Sequence, residues 1–136
     1  MQKGELLFDV KEKVTSVTLR EFTAQGARID FNLEGQVSGR LNGLRMSTHN
    51  VLLKADGTAE GDSRTLLFTK DGEPVFLIGK VKARLIDPTP KTSVEEELSF
   101  QTPSQKLAWL NTTKGWSEGT HNFATGEFNA KVYTQK

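Results

Sequence analysis

Between Ala27 and Leu41 the chain alternates without a break. Ala27, Ile29, Phe31, Leu33, Gly35, Val37, Gly39 and Leu41 are apolar or glycine, while Arg28, Asp30, Asn32, Glu34, Gln36, Ser38 and Arg40 fill the other parity. Period two over such a length is the mark of an extended strand with one face buried; a helix would spread the apolar residues over every third or fourth position. Fifteen residues is long beside the usual strand of about 5–6, so the strand must curve. Gly35 and Gly39 on the inner parity leave room for that curvature.

Turn signals then divide the rest of the chain. Asn42-Gly43, flanked by Leu41 and Leu44, reads as a type I′ hairpin turn into a return strand from Leu44 to Lys54, and Ala55-Asp56-Gly57 turns the chain again. A second hairpin joins Thr58–Thr69 to Pro74–Ile86 through Lys70-Asp71-Gly72-Glu73. Ser93–Gln101 is a further strand, and a last hairpin joins Trp116–Phe123 to Phe128–Thr134 through Ala124-Thr125-Gly126-Glu127. The N-terminal part reads as two strands, Glu5–Val10 and Val14–Phe22, and Asp87-Pro88-Thr89-Pro90 as a stiff loop. One short helix is expected near 103–111: Thr102 and Gln105 form a capping box, Pro103 suits the first helical position, and Leu107, Ala108 and Leu110 make a small apolar stripe. The expected fold is therefore all-β, one domain over 1–136, an antiparallel meander of eight or nine strands closing into a barrel with the helix as a lid or plug. A two-sheet sandwich has the same periodicity and stays open.

Composition excludes several classes of activity. With 136 residues, 18 Lys plus Arg against 17 Asp plus Glu and a net charge of +1, the chain lacks the basic excess of a non-specific nucleic-acid binder. The absence of cysteine removes disulfides, thiol catalysis and Cys-based zinc sites, and two histidines, His49 and His121, argue against a metal centre. No cofactor motif is present: there is no nucleophile elbow, no H-E-x-x-H and no phosphate-binding glycine loop. No apolar run approaches the ~20 residues of a membrane span, and no signal-peptide core follows Met1. A cytoplasmic location is expected, in which the Asn111-Thr112-Thr113 sequon carries no glycan.

Turn register predicts which polar residues enter the barrel. A two-residue loop at Asp71-Gly72 sets Phe68 opposite Val75, Leu66 opposite Leu77 and Arg64 opposite Gly79, so that the apolar face of Val75, Leu77, Val81 and Ala83 carries Glu60, Asp62 and Arg64 inward with it. The turn at Asn42-Gly43 turns Met46, Thr48, Asn50 and Leu52 inward and His49 outward. Glu96 shares the parity of Val94, Leu98 and Phe100, and His121 that of Gly119 and Phe123. The candidate ligand-binding set is thus Thr48, Asn50, Glu60, Asp62, Arg64, Glu96 and His121. Buried charges need partners, water or a ligand. The first reading is a pocket for a small, largely apolar molecule with a polar or anionic head, anchored by the planar fork of Arg64. A second is a closed internal charge network in a structural or interaction module. A third is a small isomerase or cyclase in which His121 and Glu60 or Glu96 move protons.

Trp109 and Trp116 are placed to cover one barrel end. Phe76, Ile78 and Ile86 lie on the outer parity with Lys80, Lys82 and Arg84, joined by Val51 and Leu53. An outer wall this apolar suggests a homo-oligomer rather than a membrane surface.

The stretch from Gly57 to Asn111 carries a recognisable pattern: Thr69-Lys70-Asp71-Gly72-Glu73, then Gly79-Lys80-Val81-Lys82-Ala83-Arg84, then Ser99-Phe100-Gln101-Thr102-Pro103-Ser104-Gln105-Lys106-Leu107-Ala108-Trp109-Leu110-Asn111. It is similar to small uncharacterised prokaryotic barrel proteins of calycin-like or allene oxide cyclase-like type, a resemblance that implies the barrel and no activity. Lipocalins and fatty-acid-binding proteins do not match. The Gly115-Trp116 pair is misplaced and lacks the spacer of the first, and the alternation at 26–41 leaves no space for the helix pair of the second.

Overall fold

The computed structural model describes residues 1–86 and 90–136, so the expected loop at Asp87-Pro88-Thr89-Pro90 lies, Pro90 apart, outside the described residues. Eight strands follow one another: β1 (Lys3–Thr23), β2 (Gly26–Gly39), β3 (Gly43–Lys54), β4 (Thr58–Thr69), β5 (Pro74–Ile86), β6 (Lys91–Gln101), β7 (Lys114–Asn122) and β8 (Glu127–Gln135). Each pairs antiparallel with the next, and β8 returns to β1, closing a barrel rather than a sandwich. No helix among the described residues is long and apolar enough to cross a membrane.

The N-terminal residues form one long strand where two were expected. β1 is 21 residues long, and bulges between Val14 and Ser16 and between Leu19 and Glu21 break its register with β2. Each bulge inserts a residue and reverses the parity beyond it, which blurs the alternation in the sequence.

Two turns are of a length other than the one expected, and this decides which side chains face inward. The β4–β5 connection is a three-residue loop: Thr69 N–H donates to Glu73 O at 2.9 Å, Gly72 N–H donates back to Thr69 O at 2.9 Å, and Gly72 takes φ +85°. The extra residue sets Phe68 opposite Pro74 and Ser63 opposite Gly79. At the β2–β3 connection no I′ turn forms, since Asn42 does not adopt positive φ. Asn42 instead brackets Gly39, accepting from its N–H at 3.2 Å and donating to its carbonyl at 2.8 Å, and Val37 pairs with Gly43. Both changes are odd in residue count, so β3 and β4 turn over relative to expectation.

The inner face therefore carries Arg45, Ser47, His49, Val51 and Leu53 from β3 and Ala59, Ser63, Thr65 and Leu67 from β4. One barrel end is sealed by Leu41, Leu107 and Leu110, the last fully buried. The sealing segment is a 3₁₀ turn, Ala108–Thr112, in place of the expected α-helix. Thr102 spends its hydroxyl on Pro74 O (2.7 Å) and Ser104 N–H (3.1 Å), and Asn111 holds both Thr102 backbone groups at 2.8 and 3.1 Å. These side chain–backbone bonds compete with a capping box and tie the segment to the barrel wall.

Candidate functional site

Above the sealed apolar end lies a layer of buried polar groups. Ser47 Oγ donates to both carboxylate oxygens of Glu12 at 3.0 and 2.9 Å, and Arg45 Nε stands 3.5 Å from Glu12 Oε2. Ser63 Oγ donates to Glu96 Oε1 at 2.6 Å, and His49 Nε2 lies 3.9 Å from the same oxygen. Arg45 is 1% exposed and Glu96 fully buried. Among the described residues, the Arg45 side-chain nitrogens, His49 Nε2, Thr65 Oγ1 and Glu96 Oε2 make no hydrogen bond to protein. Gly79 makes the layer possible: a Cβ there would come 2.3 Å from Ser63 Oγ and 3.1 Å from Glu96 Oε1.

Charge balance constrains this layer. Arg45 supplies one permanent positive charge against two carboxylates, Glu12 and Glu96. A second uncompensated anion in the interior is costly, which favours a proton on Glu12. Burial raises the Glu12 pKa above the usual carboxylate range, partly offset by Arg45 and by the Ser47 hydrogen bond.

At the open end the layer gives way to an apolar pocket lined by Phe31, Val51, Leu53, Val81, Ala83 and Phe123, with both histidines and Thr92 in its wall. The space open to the centre of a water molecule is about 50 Å³, room for a few waters or a small chemical group. The His121 ring meets Phe31 edge-on at 5.5 Å and Phe123 at 4.5 Å; the His49 ring meets Phe128 edge-on at 5.6 Å. Burial, with the charge of His49, lowers the His121 pKa, so its imidazole is neutral at pH 7.

Of the candidate residues, the structure brings Glu96 and His121 into this interior. The other five lie outside, because β3 and β4 are turned over. Thr48 Oγ1 donates to Asn32 Oδ1 at 2.8 Å, and Asn50 Nδ2 donates to Asp30 Oδ1 at 2.7 Å, both on the outer wall. Glu60 pairs with Lys54 at 3.0 Å, and Asp62 and Arg64 are exposed. Glu12, Arg45, Ser47, His49 and Ser63 replace them inside. Val51 and Leu53 line the pocket instead of the outer wall. Trp109 does sit at the sealed end, under the Arg40 guanidinium at 4.1 Å, whereas Trp116 lies on the outer wall with its Nε1–H donated to Glu118 at 2.9 Å. No cluster of three or more His, Asp or Glu side chains is placed to hold a metal among the described residues.

No family model and no curated protein matches the chain. Solved structures do. A β-barrel-like protein from Acinetobacter baumannii superposes with a TM-score of 0.83 at 22% identity, over 97% of this chain and 94% of that one. A protein of unknown function from Clostridium acetobutylicum gives 0.85 at 18% identity over the whole of both chains. An enzyme from Penicillium herquei gives 0.67 at 23% identity, over 99% of this chain and 96% of that one. At 23% identity or less, what these likenesses show is a β-barrel fold in common.

Proposed function

We propose that the barrel binds a compact, largely apolar molecule bearing one carbonyl or hydroxyl group, its body against Phe31, Val51, Val81 and Phe123 and its polar group toward His49 and His121. The observation that carries this reading is an apolar pocket whose wall holds both imidazoles, that of His49 with a buried Nε2 that makes no hydrogen bond to protein. Arg64, outside the barrel, has no part in it. A closed eight-stranded meander has an interior of the right width for one small ligand, as in calycin-like barrels. The competing reading, a self-contained charge network in a binding-inert module, leaves the apolar pocket and its two imidazoles without a role.

The chain has only two histidines, so their imidazole proton NMR signals are assignable with His49→Gln and His121→Gln. Titration with acetone, butanone, 2-propanol and propanal is expected to shift both sets saturably for at least one compound. Flat signals across the panel overturn the proposal.

A second reading follows from the chemistry of the same pocket. A neutral His121 and the His49 imidazole, with Glu96 3.9 Å behind it, line the same pocket, a base and a donor of the kind that enolises a ketone. His121 takes the α-proton, the C–H pair forms the C=C bond, and the carbonyl oxygen receives the proton from His49. Exchange of the α-protons of bound acetone or butanone for deuterium, lost in His121→Gln, supports this reading; saturable binding without exchange leaves a binding protein.

A further inference from the structure

The longest singly paired stretch of the barrel lies in the second half of β1. The β1–β8 ladder ends at Lys13 opposite Glu127, with a last bond from Val14 N–H to Gly126 O at 2.8 Å. Beyond it, the nine residues Thr15–Thr23 pair with β2 on one side only. This overhang is about 30 Å of strand at ~3.3 Å per residue. Among the described residues nothing bonds its outer backbone edge.

The apolar side chains along that edge are as open as its backbone. Val17 is opposite Phe31, Leu19 opposite Ile29 and Phe22 opposite Ala27, so all three share the face that lines the pocket. They are 56%, 60% and 78% exposed. Of the residues that guard exposed strand edges, Thr15–Thr23 contains no lysine and no proline, and its two charges, Arg20 and Glu21, are of opposite sign.

We infer that two copies of this chain pair through this edge, β1 against β1 about a two-fold axis. One antiparallel register makes the segment complementary to itself. With the axis between Arg20 and Glu21, Arg20 of one copy meets Glu21 of the other, Leu19 meets Phe22, and Thr18 meets Thr23. Leu19 and Phe22 both lie on the pocket side. Arg20 reaches Asp30 on the outer side, where Glu21 also lies opposite Arg28, so each pair joins side chains of the same face. The two bulges add twist to the edge, which a two-stranded ribbon accommodates and a growing flat stack does not. The pairing is isologous, so it closes at two copies.

The test is the solution mass of the full chain, with variants at the edge. Wild type is expected at about twice the chain mass of 15.1 kDa. Leu19→Lys with Phe22→Lys should halve it and leave the unfolding midpoint per chain close to that of the unpaired fold, because both side chains are exposed in one copy. The chain has no cysteine, so disulfides report the register: Leu19→Cys with Phe22→Cys should cross-link on mild oxidation, and each single cysteine variant should not. A wild-type mass of one chain overturns the inference. So does a dimer that survives the lysine pair but is broken by Phe76→Lys, which would move the interface to the outer β3–β5 wall. Cross-linking by a single cysteine variant overturns the register.

Discussion

Gly79 lies directly opposite Ser63 across the β4–β5 ladder, and the missing side chain at 79 is what lets Ser63 Oγ reach Glu96 Oε1 at 2.6 Å. A methyl group at 79 would stand 2.3 Å from that hydroxyl and 2.9 Å from Leu98 Cδ2. Gly79→Ala should therefore destabilise the fold by about 1–3 kcal/mol through overpacking and loss of the buried hydrogen bond. Ser63→Ala removes the atom that the methyl strikes, so the double variant should lose less than the sum of the two singles in urea unfolding. Additive losses would mean that the two positions do not interact.

Arg45 and Glu12 are both essentially inaccessible, and their charges compensate each other at 3.5 Å. Arg45→Met leaves Glu12 as an uncompensated buried acid and should cost about 3–5 kcal/mol. Adding Glu12→Gln, which keeps an acceptor for Ser47, should recover most of that loss. Denaturant midpoints of wild type, Arg45→Met and the double variant check this, and a double variant as unstable as Arg45→Met alone would contradict it.

The barrel itself was legible in the alternation from Ala27 to Leu41 and in the turn residues, because parity along one strand needs no knowledge of its neighbours. The polar interior was legible only where a strand carries its own parity signal. Glu96 sits among Val94, Leu98 and Phe100, and the fully apolar face of β5 was likewise plain. β4 has Leu66 and Phe68 on one parity and Leu67 on the other, so its orientation rested on the length of one loop. Asp71-Gly72 serves a two-residue turn as well as a three-residue loop with Gly72 at positive φ. The cost of burial held the better clue: one parity of β4 buries Glu60, Asp62 and Arg64, the other only Ala59, Gly61, Ser63, Thr65 and Leu67. His49 and Arg45 were missed for the same reason, a turn at Asn42 whose side chain brackets Gly39 rather than adopting positive φ.

Leu110 is fully buried at the sealed end, and the 3₁₀ turn that carries it is held by Thr102 and Asn111. Leu110→Ala should cost about 2–5 kcal/mol, since the seal is pinned at both ends and cannot collapse into the cavity. Asn111→Ala should be milder and should speed amide exchange over residues 102–113 before it affects the rest of the barrel. Uniform acceleration across all strands would show that the seal does not open as a separate unit.

The acid side of the stability profile separates His121 from Glu12. The His121 pKa is lowered from 6.5 by burial and by His49, so above pH 6.5 both folded and unfolded states are neutral and its contribution is complete. As pH falls below 6.5 the unfolded chain takes up a proton that the folded chain refuses. Stability is then lost until the folded pKa is passed, at a slope of at most about 1.4 kcal/mol per pH unit. Glu12 works in the opposite sense. Its pKa is raised from 4.5, so the folded state holds a proton that the unfolded state has released, and that contribution is present below 4.5 and lost as pH rises through the folded value. His121→Gln should therefore flatten the decline below pH 6.5, and Glu12→Gln should leave that decline in place while removing the loss on the rising side. Urea midpoints measured across this range decide it: a decline unchanged in His121→Gln would place the titrating group elsewhere in the interior.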